Sequence, residues 1–287
     1  MAFGIEPAEG EAQLSYGSYL KVPELLDLQH LLSSPQQHDE MLFIIIHQVH
    51  ELWFKQMLHE LDAVTGCIDR SDVLGAHRLL RRCIEIQRVL VEQVNVLETM
   101  TPNDFLTFRD ELMPASGFQS AQFRELEFAC GMKNPRQLEN HAEGSPERAA
   151  LQARLHGPTL GGRFHAMLAR RGFDIQAEPD AAPGSDTGED ARARHDRRIR
   201  ALLAIYQDPA SHYDLYLLAE ALIEFDEMFY LWRLRHIAMV ERMIGSKPGT
   251  GGSEGVSYLR TTLARKFFPE LWELRTHLSA GPTGATG

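Results

Sequence analysis

The chain has 287 residues, 44% hydrophobic and 24% charged, enough to build a sizeable core in one large domain or two small ones. A formal net charge of -11 argues against a nucleic-acid surface, which needs a basic face to neutralise phosphates. No apolar run approaches the roughly 20 residues of a membrane span, and the opening MAFGIEPAEGEAQ lacks the basic-then-apolar build of a signal peptide, so the expected address is the cytoplasm, with no membrane partner.

Along the chain, nearly every periodic segment has helical spacing, and the alternating β-branched runs of strands are missing. An all-α fold is expected. The first strong helix is predicted over His38 to Asp62, where Leu42, Ile45, Ile46, Val49, Trp53, Met57 and Leu61 recur at steps of one, three or four. A second is predicted from Ser71 to Glu98. Thr101-Pro102-Asn103-Asp104 has the residues of a helix start, with Thr as cap, Pro in the first turn and Asp at the positive end, and this helix should end near Met113. PASGFQS at 114 to 120 reads as a loop, and the next helix should stop at Gly131. Residues 174 to 190, rich in Pro, Gly and Asp, are expected to form a mobile excursion from a single domain spanning 1 to 287. The acidic end of this stretch and the basic run Arg192 to Arg200 fit a solvated loop entering a helix. The longest helix is predicted from Ser211, as cap, to Gly245.

The three cysteines, Cys67, Cys83 and Cys130, are far apart with no C-x-x-C, so they read as buried thiols rather than as a disulfide framework or a zinc site. On the long helix, Leu218, Leu222, Phe225, Phe229, Trp232, His236, Met239 and Met243 form one apolar seam. A histidine in such a seam is most often a hydrogen-bonded core residue; the sharper reading is a neutral imidazole on a metal or haem iron. His47 lies on a largely apolar helix, with Phe43 one turn before and Glu51 one turn after. With His50 and Glu51 it offers a weak non-haem metal pattern, since H-E-x-x-H is absent and thirteen histidines make chance pairs common. Arg109 is by default a surface residue, but facing a pocket its planar fork would clamp a carboxylate. GSKPGTGGSEG at 245 to 255 is too glycine-rich for helix and is no Walker loop; its amides could form an anion site, and Ser253 could cap the following helix.

Taken in order, YGSYL at 16 to 20, HDEMLFIIIHQVHELWFKQ at 38 to 56, LETMTPNDFLTFRDELMPASGFQS at 97 to 120 and LWRLRHIAMVERMIGSKPGTGGSEG at 231 to 255 resemble the tryptophan 2,3-dioxygenase family. The resemblance implies a homotetramer of all-helical subunits. Each would bind haem b and use O2 to cleave the indole C2–C3 bond of L-tryptophan or a close analogue, giving N-formylkynurenine, the first step of the kynurenine pathway. It further implies His236 as the axial iron ligand and His47 as the residue that accepts the indole N–H. Phe43, Ile44, Ile45, Ile46 and Phe105 would belong to the substrate pocket. Arg109 would pair with the substrate carboxylate, Thr250 would hold the head group, and Ser116 and Gly117 would lie against the haem. Tyr16 and Tyr19, on an N-terminal arm over 1 to 37, would cover the pocket of a neighbouring subunit. Three positions depart from the family pattern as we read it: Ile46 stands where Thr or Gln is usual, His50 replaces Ser or Tyr, and Glu254 replaces the second Ser of GTGGSSG. They leave open a relative that inserts one oxygen atom into a substituted tryptophan to give an oxindole; a haem-binding protein without turnover is a further alternative.

Overall fold

The computed structural model describes residues 14–175, 188–252 and 254–279. Two short helices, α1 (Tyr16–Leu20) and α2 (Val22–Leu26), lead into α3 (His38–Asp69) and α4 (Val73–Leu97). Then come α5 (Pro102–Phe108), α6 (Ala121–Ala129), α7 (Pro146–His156) and α8 (Leu160–Arg170). The chain finishes with α9 (Gly188–Gln207), α10 (Tyr213–Ile244), α11 (Val256–Thr261) and α12 (Pro269–His277). No strand occurs among the described residues, as the periodicity predicts. Most of the 174 to 190 stretch, and Ser253, lie outside the described residues.

Several boundaries differ from the predicted ones for local reasons. Helix α3 runs seven residues past Asp62 because Val64, Cys67 and Ile68 are buried in the core, and packing overrides the weak helix propensity of Thr65 and Gly66. Ser71 takes a left-handed φ of 60°, so α4 starts later, capped by Asp72, whose carboxylate accepts the Gly75 N–H at 2.9 Å. The cap predicted at Thr101 forms, and Asp104 completes it as a capping box, but α5 ends at Phe108 and tightens into a 3-10 turn over Arg109–Leu112. At the other end, Ser211 does not cap α10. Its N–H is held by Asp208 Oδ1 at 3.2 Å, and the helix begins after His212 without a side-chain cap. Both α3 and α10 have 32 residues, about 48 Å at the helical rise.

The core gathers Met57, Leu61, Val64 and Ile68 of α3, Ala76, Leu80, Cys83 and Ile84 of α4, and Leu218, Leu222 and Phe225 of α10. Each large side chain in it contributes roughly 1.5–3 kcal/mol by leaving water. The three cysteines are free and buried, and burial pushes the Cys83 thiol up to about 12. Helix α4 is the spine, with α3 and α10 each packed along it and no comparable contact joining those two directly. A second apolar cluster of Ile46, Val94, Leu97, Met100, Phe108, Met239 and Met243 closes one end of the space between them. At the other end Asp226 fastens α12 and its approach to α10, accepting the N–H groups of Phe267 (3.0 Å), Phe268 (3.2 Å) and the Trp272 indole (2.9 Å).

Candidate active site

The space where α3 and α10 part is a cavity of about 300 Å³. From α3 it is lined by Phe43, Ile46, His47, His50, Glu51 and Phe54, spaced as one helical face. From α10 come Trp232, Arg233, His236, Met239 and Met243, among others, and from the α5 turn Phe105 and Arg109. Loop residues Ser116, Gly117, Gly249 and Thr250 complete the wall.

His236 is the polar break in the otherwise apolar seam of α10 that carries Phe225, Phe229, Trp232, Met239 and Met243. Its imidazole stacks on the Trp232 indole, with ring centroids 5.3 Å apart and planes 4° from parallel. Burial, and then the neighbouring imidazoles of His47 and His50, push its pKa down to about 4, so the ring is neutral at pH 7 with a lone pair for a Lewis acid. Two buried donors at the same wall, Trp232 Nε1 and Arg124 Nε, have no hydrogen-bond partner among the described residues.

Opposite, on α3, the Nδ1 atoms of His47 and His50 lie 2.7 Å and 2.8 Å from the carbonyls of Phe43 and Ile46. A carbonyl only accepts, so each Nδ1 carries the proton and each Nε2 is left as an acceptor. Burial lowers both pKa values, against the raising effects of those hydrogen bonds and of Glu51, and both rings stay neutral. His47 keeps open surface because it faces the cavity. Its ring lies 4.1 Å from that of Phe43, which in turn stacks on Phe105 at 5.7 Å. Glu51 is tied down: Ser120 Oγ donates to it at 2.6 Å and Gln122 Nε2 at 2.8 Å.

The rim carries the positive charge. Arg109, with its side chain 13% exposed, donates through Nη2 to the Pro248 carbonyl at 2.5 Å, while its Nε is buried without a partner. This holds the glycine-rich loop over the cavity and leaves donors for an anion. Thr250 Oγ1 donates to the Ala115 carbonyl at 2.8 Å, tying the loop to the 114–120 turn. The two chain segments are so close that a Cβ at Gly251 would collide with the Ser116 side chain, 2.8 Å from its Cβ. Gly255 has φ 63°, and a Cβ there would lie 2.6 Å from the Lys247 carbonyl oxygen. Deeper in, Arg124 and Arg233 share Glu127 at 2.7 Å and 3.2 Å, a buried trio with one surplus positive charge.

A family model described as tryptophan 2,3-dioxygenase matches residues 5–154 and 187–278. The chain belongs to the tryptophan 2,3-dioxygenase family. Among relatives bearing that name, the protein of a Nocardioides species is 50% identical over 275 residues, covering 94% of this chain and 97% of the relative. Those of Serratia proteamaculans and Caulobacter vibrioides are each 43% identical, over 268 and 265 residues, covering 93% and 92% of this chain and 94% and 98% of theirs.

Of the residues the family resemblance singles out, the fold brings Phe43, Ile46, His47, Phe105, Arg109, Ser116, Gly117, His236 and Thr250 to this one cavity. Ile44 and Ile45 are not among its lining residues, because steps of about 100° along α3 turn them off the face that carries Phe43 and His47. Tyr16 and Tyr19 are 79% and 71% exposed on α1 and do not line it either. Among the described residues no group of three or more His, Cys, Asp or Glu converges to hold a metal. Sequence reasoning passed over Trp232, Phe123, Arg124 and Arg233 as cavity residues; Trp232 could have been found from its position one turn before His236.

Proposed function

We propose that this chain is a haem-dependent dioxygenase that cleaves the indole C2–C3 bond of L-tryptophan, or a close analogue, with O2 to give N-formylkynurenine. Family membership supports the reaction. The observation that carries it to these residues is a neutral imidazole, His236, with no hydrogen-bond partner among the described residues, facing His47 across a largely apolar cavity with a cationic rim.

The donor set fits haem b. His236 would hold the iron, the aromatic walls at Phe123 and Trp232 suit a flat apolar ring, and the unpartnered donors on Arg124 and Trp232 would be satisfied by its carboxylate arms. Ser116 and Gly117 would lie against its edge. When bound, haem supplies the place where dioxygen is held and activated.

The protein's own part is to bind, orient and exclude water. Arg109 pairs with the substrate carboxylate through donors left free by Pro248, and Thr250, on the loop that Arg109 holds, takes the amino-acid head group. Phe43 and Phe105 pack on the indole. His47 accepts the indole N–H at Nε2, which fixes the ring in the plane where C2 and C3 are attacked; it needs no net proton transfer, since both oxygen atoms end in the product. Apolar residues around the cavity keep water from competing for those hydrogen bonds. We also read residues 1–287 as one domain working in the cytoplasm as a homotetramer; no helix among the described residues is long and apolar enough to cross a membrane.

The test is direct. The purified protein should show the Soret band of histidine-ligated haem, and with L-tryptophan under labelled dioxygen the product should gain two labelled oxygen atoms. Gain of one atom would point to oxindole formation, and a haem band without consumption of tryptophan would point to a carrier.

A further inference from the structure

We propose that Glu127 is a positioning residue for the haem: by holding Arg124 and Arg233 with one oxygen each, it sets the direction of Arg124 and keeps the open donors of that arginine for the haem carboxylates. This rests on the haem reading given under Proposed function. Arg124 and Glu127 lie one turn apart on α6, and Arg233 comes from α10. All three line the cavity, and they are only 7%, 5% and 4% exposed. Glu127 Oε2 accepts from Arg124 Nη1 at 2.7 Å, and its Oε1 accepts from Arg233 Nη2 at 3.2 Å.

The two arginines are not equivalent. Arg233 is fully engaged: its Nη1 donates to the Arg265 carbonyl at 3.2 Å, and its guanidinium lies 5.4 Å and 5.9 Å from the ring centroids of Phe267 and Phe229. It balances the charge of Glu127 within the protein. Arg124 makes no hydrogen bond among the described residues except the one to Glu127, and its Nε is buried without a partner. Its guanidinium lies 5.3 Å from the Phe123 centroid and 5.6 Å from that of Phe118. The surplus positive charge of the trio therefore belongs to Arg124, beside the wall where Phe123 meets Trp232 at 5.2 Å between centroids. A buried guanidinium with open donors is stabilised by an anion that reaches it. Without Glu127, two like charges would face each other, and a long side chain with several rotatable bonds would have nothing to fix its fork.

The full-length protein is loaded with haem or with haem dimethyl ester, which lacks the two carboxylates, and the release of each to excess apomyoglobin is followed by the Soret change. The parent should release the ester on the order of 10–100-fold faster than haem, the effect of a hydrogen bond to a charged group. In Glu127→Leu that ratio should fall at least several-fold, although the variant keeps both arginines and has one more net positive charge. A role in bulk charge alone would raise the ratio, and a role in packing alone would speed both releases and leave it unchanged; either result overturns the proposal. Should Glu127→Leu not fold, Arg124→Leu and the double variant decide, since the first leaves a balanced Glu127–Arg233 pair and the second the same surplus charge as the parent. Equal ratios in these two proteins show that Glu127 acts through Arg124. A lower ratio in the double variant shows another route and overturns the proposal. A parent that takes up neither compound overturns both this assignment and the haem reading beneath it, whereas uptake of both with equal release overturns this assignment alone.

Discussion

His236 and His47 stand on different helices, α10 and α3, and meet only across the cavity, so each can be removed without unseating the other. His236→Ala should lose most haem, or its five-coordinate histidine spectrum, while the helical circular dichroism persists; full haem with unchanged ligation would refute the iron ligand. His47→Ala should keep haem and lose roughly 10²–10⁴-fold in rate, the range of a positioned hydrogen-bonding group. 1-Methyltryptophan, with no N–H to donate, should be a poor substrate for the parent and be disfavoured much less by this variant. The pH dependence follows from direction. Burial lowers the His47 pKa, so the acceptor stays neutral below the ordinary histidine value near 6.5, and the acid limb of kcat/KM should lie on the acid side of that value. A limb at the ordinary value near 6.5 would mean that His47 is solvated rather than buried in the pocket. Arg109→Leu should weaken kcat/KM by about 2–5 kcal/mol, the cost of leaving a buried carboxylate without its charged partner; an unaltered value would place the carboxylate elsewhere. At this scale the sequence carried the identities but not the facing. His47 and Arg109 are unremarkable in isolation and gain meaning from ordered motifs, whereas the exclusion of Ile44 and Ile45 from the cavity wall follows only once the rotation of α3 is known.

Helices were legible wherever apolar residues recur at three and four, because that period is what buries a stripe against α4. Their ends were less so. A Ser before a periodic run is a good cap by type, yet Ser71 is turned into a left-handed link and Ser211 is already bound to Asp208. These are effects of neighbours that a propensity does not contain. The extension of α3 beyond Asp62 is likewise a tertiary effect, since its last turns are held by buried contacts rather than by their own preference. Long-range fastening was not legible at all: nothing in the spacing of Asp226 announces that it takes three N–H groups from the segment entering α12. That segment depends on it. Asp226→Ala leaves two buried backbone donors and an indole donor unpaired, at a cost of about 2–4 kcal/mol. Denaturant unfolding should register this loss, with Trp272 fluorescence reporting a loosened α12; stability within 0.5 kcal/mol of the parent, the range typical of a neutral surface change, would show that water replaces the carboxylate.

On the scale of the whole molecule, the all-α architecture was readable from period alone, while assembly was readable only through the family. A single chain leaves α1, α2 and the residues beside them with a dense set of uncovered apolar side chains: Leu14 is 75% exposed, Tyr16 79%, Tyr19 71%, Leu26 71% and Leu32 66%. Neither short helix buries a residue of its own, so among the described residues little apolar burial offsets the entropy of ordering them. Scattered exposed leucines are ordinary, but so many exposed apolar side chains within twenty residues suit a surface that another chain would cover. In the proposed homotetramer the arm of one subunit would lie over the pocket of the next, where Tyr16 and Tyr19 would close in a substrate. Two readouts should then move together in a Tyr16→Ser, Tyr19→Ser protein. Light scattering should show the parent at the mass of four chains and the variant dissociating at higher protein concentration. The KM for tryptophan should rise while His236-ligated haem is retained, because the iron site is built within one chain. A variant that keeps both its mass and its KM would show that the arm serves neither assembly nor closure. One that loses mass alone would separate assembly from the pocket and leave each site to work within its own subunit.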